Sequence, residues 1–167
     1  MAANVIAFTG EVQTAANVID RALSLNPNSA HGWMIRGWIH TFLNQPKPAS
    51  DALERAMRLS PLDPLGYQFA WGLGLAAFEE GQYEEAIQWA DLSLREEPTA
   101  LPALRVKVAA SSLLNKSAEA QQALRRMLEL HPGLTVANYT AYALRFMVPE
   151  VVAAVADGLR RAGLPEG

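Results

Sequence analysis

Catalysis and metal binding need ionisable or nucleophilic side chains brought to one point, and this chain of 167 residues offers few. Its histidines are His31, His40 and His131, and it has no cysteine. None of the three is spaced as a His-Glu-x-x-His pair, so no metal site is expected. His40 reads as a packing residue inside a helix. His131, just before Pro132, reads as a helix-end residue. Glu79, Glu80, Glu84 and Glu85 could exchange a proton or hold a hard cation. The plainer reading is a solvated turn followed by a helix start that favours acids. Gly72-Leu73-Gly74 lacks a preceding strand and suits close helix packing better than phosphate binding. Ser111-Ser112 has no histidine and aspartate nearby to complete a triad. Arg125-Arg126 and Arg160-Arg161 read as solvated faces. The residues therefore predict no catalytic group, no cofactor, no metal and no enzyme.

The bulk composition agrees. Half the residues are hydrophobic and 19% are charged, which excludes a disordered tail. The net charge of −3 gives no general affinity for nucleic acid. Without cysteine there is neither a disulfide framework nor a thiolate site. No run approaches the roughly 18–20 apolar residues of a membrane span. The first residues, Met-Ala-Ala-Asn-Val-Ile-Ala-Phe, lack the basic start of a signal peptide. A soluble, cytoplasmic chain with no membrane contact is expected.

The elements that must position any site show as a repeat. Pro27, Pro61, Pro98 and Pro132 are spaced by 34, 37 and 34 residues. Each closes a similar phrase, among them Ala-Leu-Ser-Leu-Asn-Pro and Met-Leu-Glu-Leu-His-Pro. Proline ends a helix because it lacks the N–H and clashes with the preceding turn. Abundant alanine and leucine favour helix throughout. On these residues the chain resembles the tetratricopeptide repeat family, whose unit is 34 residues in two antiparallel helices. Trp33, Gly37, Ala49, Ala56 and Pro61 fall on its consensus positions, while Arg36 and His40 depart from it. In the next unit Leu73-Gly74, Gly81, Tyr83, Ala86 and Pro98 match, with Ser93 for the usual alanine. Leu104, Ala120 and Pro132 match in the fourth unit, where Val108 replaces glycine, and Gly10, Ala15, Ala22 and Pro27 match in the first.

The resemblance implies an all-α fold, a right-handed α-α superhelix of antiparallel helix pairs with the A helices inside and a C-terminal capping helix. It implies one domain over 1–167, with repeats at about 1–29, 30–66, 67–100 and 101–134. A fifth A-type helix is expected at 135–146 and the capping helix at 149–163, opened by Pro149 and stopped by Gly163. Gly37 should pack on Ala49 and Gly74 on Ala86. Gly81 and Asn115 should take the left-handed conformation at helix ends. The register puts Met1 inside a helix without a cap, as expected for a piece of a longer protein. Val12, Ile19 and Leu23 would then form an exposed, sticky edge.

Two phrases, Arg-Leu-Ser-Pro-Leu-Asp-Pro at 58–64 and Asp-Gly-Leu-Arg-Arg-Ala-Gly-Leu-Pro-Glu at 157–166, look like the C-terminal repeat region of bacterial class III adenylate cyclases. Winged-helix regulators of related architecture have a similar region. This implies a non-catalytic regulatory scaffold binding a protein or peptide segment, or alternatively a homodimerisation domain. It carries over no catalytic residue.

The family's groove positions fall here on His31, Met34, Trp38 and Phe42, on Gln68, Trp71, Leu75 and Phe78, and on Arg105, Ala109 and Ser112. Asn4 and Phe8 would extend the row. Some family members grip a C-terminal carboxylate with Lys, Asn and Arg, but here Met34 and Trp71 stand where cations would be wanted. Such an aromatic, apolar groove suits an amphipathic helix or apolar peptide. Its alternatives are a groove filled by the chain's own 148–159 segment or by a second copy, and plain inter-repeat core.

Overall fold

A computed structural model describes residues 11–167, so Asn4, Phe8 and Gly10 lie outside the described residues. Among the described residues nine helices follow one another with no strand. They are α1 (Val12–Leu25), α2 (Ala30–Phe42), α3 (Pro46–Leu59), α4 (Gly66–Glu79), α5 (Tyr83–Glu96), α6 (Leu101–Leu113), α7 (Ser117–Leu130), α8 (Val136–Ala143) and α9 (Pro149–Arg161). From α1 to α7 each helix packs on its sequence neighbours, and the A-type helix α4 also touches α2 on one side and α6 on the other. The result is a right-handed α-α superhelix.

The recurring prolines impose one backbone shape four times. The residue before each, Asn26, Ser60, Glu97 or His131, has φ between −133° and −142° and ψ between 76° and 90°. Proline Cδ drives its predecessor out of the α region in this way. Each of these four N–H groups still bonds back to a carbonyl four residues earlier.

The other helix ends repeat as well. Asn44, Gly81 and Asn115 are left-handed, with φ of 55°, 75° and 59°. The N–H that follows each one bonds to His40, Ala77 or Ser111 O at 2.9 Å, the 6→1 bond of a Schellman ending. Asn44 does the same work as the two residues whose type suggested it.

Small residues set the helix spacing, with one change from expectation. A Cβ on Gly74 would lie 3.2 Å from Ala86 O, as the register implies. A Cβ on Gly37 would instead lie 2.4 Å from Leu53 Cγ, so Leu53 and not Ala49 fills that notch. Ala15, Ala49, Ala86 and Ala120 are all buried. Val12, Ile19 and Leu23 are not an exposed edge: they are buried in one cluster with Met34, Ile35 and Phe69.

The C-terminal pair departs from the repeat. α8 ends at Ala143, short of the expected 146, and 144–148 form an irregular turn. α9 then packs on α6 and, less extensively, on α8. Val151, Val152, Val155 and Leu159 are buried there. Gly158 allows the approach, since a Cβ on it would sit 2.6 Å from Ala109 Cα.

Candidate binding groove

The A helices bring Trp38, Phe42, Trp71, Leu75 and Arg105 onto one wall. Trp38 and Trp71 stack at 5.1 Å and 23°, and the Trp38 indole N–H donates to Gln68 O at 3.3 Å. Phe42 meets Phe146 edge-on at 5.0 Å, and Tyr142 meets Phe146 at 5.1 Å. The Val148 N–H donates to Phe42 O at 2.9 Å. The chain's own tail is therefore seated on this wall.

With the tail seated there the row is not an open one, the arrangement described by the alternative of a groove filled by the chain's own 148–159 segment. Met34, Trp38, Phe42, Leu75 and Phe78 are buried. Met34 belongs to the core towards α1, and Phe78 lies beside Tyr83 at 5.4 Å and shares a hollow with Glu150, Val151 and Ala154 of α9. Ala109 lies under Gly158. His31 is exposed, while Gln68, Trp71, Arg105 and Ser112 are half-buried. The apolar stripe of α9, which would otherwise face water, covers α6 and reaches Phe78, whereas Met34, Trp38 and Phe42 are buried in the cluster of α1, α2 and Phe146.

Arg105 sits where the wall, α8 and the tail converge. Its Nε donates to Leu101 O at 3.3 Å, and its guanidinium carbon lies 5.6 Å from the Tyr139 ring centre. No carboxylate forms an ion pair with it among the described residues. Burial holds its pKa below the usual value and pushes the Tyr139 phenol up to about 12. Two hollows flank it. One, of about 160 Å³, is lined by Trp71, Leu75, Tyr139, Phe146 and Val155 among others. The second, about 420 Å³, is bounded by Met127, His131, Asn138 and Tyr142. Sequence reading missed Tyr139, Tyr142 and Phe146, although spacings of three and four along 139–146 mark one helical face.

The acidic cluster also divides. Glu80, Glu84 and Glu85 are exposed. Glu85 accepts the Trp89 indole N–H at 3.1 Å, and Glu84 and Glu85 open α5. Glu79 is different: both its carboxyl oxygens are buried without a hydrogen-bond partner. Burial first, and the neighbouring Glu80 second, push its pKa up to about 9. Among the described residues no three His, Asp or Glu groups are placed to hold a metal. His40 Nδ1 pairs with Gln45 Oε1 at 2.7 Å, and exposed His131 ends α7.

The two phrases at 58–64 and 157–166 have local structural work. Asp63 Oδ1 accepts the Leu65 N–H at 2.9 Å, turning the chain into α4. Gly163 is left-handed at φ 102°, and Leu164 is buried. Pro165 O and Glu166 O then accept the N–H groups of Val136 and Ala137 at 2.8 and 2.9 Å, capping the start of α8. Arg160 holds Glu166 at 2.6 Å.

A tandem array of paired helices with small-residue notches and proline turns is the architecture seen in tetratricopeptide repeat folds. A family model of the tetratricopeptide repeat matches residues 42–100. Comparison with curated proteins gives no match. Among solved structures the chain resembles MamA, residues 41 to the end, from Desulfovibrio magneticus RS-1, at 24% identity over 76% of this chain and 70% of that one, with a TM-score of 0.64. It also resembles YrrB, a tetratricopeptide protein with an unusual peptide-binding site, at 18% identity over 96% and 80%, TM-score 0.61. A thermophilic tetratricopeptide protein of Thermus thermophilus aligns at 19% identity over 91% and 84%, TM-score 0.65. At these identities the likeness is one of fold. No helix among the described residues is long and apolar enough to cross a membrane.

Proposed function

We propose that this chain is a non-catalytic scaffold that binds an apolar or amphipathic protein segment, and that it serves as the cytoplasmic C-terminal regulatory region of a bacterial class III adenylate cyclase. One observation carries the binding reading: the A-helix wall already takes an amphipathic helix, α9, along Val151, Val152, Val155 and Leu159. A partner helix with the same stripe has matching chemistry. The peptide-binding site of YrrB is a parallel on the same fold. The cyclase reading rests on the phrases at 58–64 and 157–166 alone.

Homodimerisation is the second reading, favoured by Tyr142 and Leu144, which are 47% and 48% exposed near the tail junction. Two side chains fall well short of the roughly 1,000 Å² of a stable interface, so partner binding is preferred. The test uses the chain as bait in its source organism, wild type against Trp71→Ala. A partner recovered by the wild type and lost by a variant with unchanged melting supports the groove. Equal recovery by both chains moves the interface elsewhere. Reading the gene upstream of the first codon tests the cyclase reading: a cyclase catalytic domain supports it, and any other domain ends it.

A further inference from the structure

We propose that Arg105 and the cavity beside it form a site for a small organic acid, a carboxylate carried on one ring-sized apolar group. The argument begins with charge. Arg105 has five N–H donors, and the structure gives it one long bond, to Leu101 O at 3.3 Å, and a ring face, Tyr139. Arg105 is half-buried, and a guanidinium partly withdrawn from water without a carboxylate carries a cost that an anion delivered to it relieves. Residues 1–10 contain no Asp or Glu to serve.

Size and shape then narrow the ligand. The adjoining hollow of about 160 Å³ is close to the ~150 Å³ that admits a benzene ring. Trp71 and Leu75 bound it on the repeat side, and Phe146 and Val155 on the tail side. An apolar ring fits between these walls while its carboxylate reaches Arg105 at the rim. The larger hollow beyond, with His131 and Asn138, leaves room for solvent or a second polar group. A free small acid enters with the tail in place. A peptide C-terminus presents the same chemistry, but its chain would have to pass the tail.

The site carries its own reporter, since Trp71 lines the cavity and stacks on Trp38. The experiment titrates the full chain with phenylacetate, with its neutral analogue phenylacetamide, and with a hexapeptide ending in a free phenylalanine, following tryptophan emission and melting. Phenylacetate is expected to saturate below about 10 mM, in keeping with its few heavy atoms, and to raise the melting temperature. It should bind at least about tenfold more tightly than the amide, a preference kept in Arg105→Lys and lost in Arg105→Met. Equal binding of acid and amide overturns the proposal, as does no saturable change with phenylacetate. Binding of the hexapeptide alone also overturns it and makes the site a peptide terminus site. Should Arg105→Met fail to fold, the acid-against-amide comparison on the wild type decides. Partner recovery by the bait experiment is read separately, so either idea fails without the other.

Discussion

Glu79 is the residue at which local chemistry and fold disagree most. It ends α4 with Glu80 beside it, and it shares a hollow with Asn44, Tyr83 and Glu150 of the first turn of α9. Among the described residues no cation lines that hollow, so nothing there stabilises a further negative charge beside Glu80 and Glu150. The pKa is raised from 4.5 to about 9, so between these values the folded state binds a proton that the unfolded state has lost. Stability should therefore fall as pH rises through that window. Glu79→Gln removes the titrating group while keeping its shape. At pH 5 the variant and wild type should melt nearly together, and at pH 8 the variant should be more stable by about 1–3 kcal/mol. Urea titrations at the two pH values check this; a constant difference between them would show that Glu79 is ionised without cost.

At the scale of the element, α8 depends on the chain end. It is only eight residues long, too short to stand without tertiary support. Its start has a capping box from Thr135 and Asn138, and two of its N–H groups bond to Pro165 O and Glu166 O. Deleting 164–167 removes those two acceptors and the buried Leu164 side chain. The loss should be roughly 2–4 kcal/mol, from capping together with apolar burial. Hydrogen exchange should rise first at Val136 and Ala137. Unchanged protection there would mean that the Thr135 box alone holds the helix. The same region marks how far the sequence could be read. Proline spacing and alanine register located the paired helices because those signals are local and recur. The path of α9 was legible only as one alternative, a tail filling the groove, because an apolar stripe such as Val151, Val152, Val155 and Leu159 says only that a face is buried. Which surface buries it depends on Gly158 meeting Ala109, a contact between residues 49 positions apart. Arg105 was legible as a groove position, but its missing partner was not, since pairing is a property of the assembled neighbourhood.

At the scale of the whole molecule, the tail turns a one-dimensional array into a closed one. Repeat arrays pass stability only between neighbours, and their halves can unfold separately. Here the buried side chains form two clusters, one from α1 to α4 and one from α4 to the C-terminal end. Phe146 belongs to the first cluster, whereas Val151, Val152, Val155 and Leu159, a few residues on, belong to the second. Val148 between them is tied to Phe42 O. The segment 146–159 thus staples the two clusters across the concave side, a contact no neighbouring repeat supplies. A chain ending at residue 147 should keep its repeats but lose the coupling. The full chain is expected to unfold in a single transition, with calorimetric and van't Hoff enthalpies equal. Its truncated form should unfold in two steps, with α6 melting first because its inner face has lost α9, and α7 following because it packs on α6. Calorimetry with residue-level hydrogen exchange separates the outcomes. A single transition in both chains would place the coupling in the stacking of α4 and α5 on their neighbours, and would leave α9 as an occupant of the groove that a partner helix could replace without unlinking the two halves.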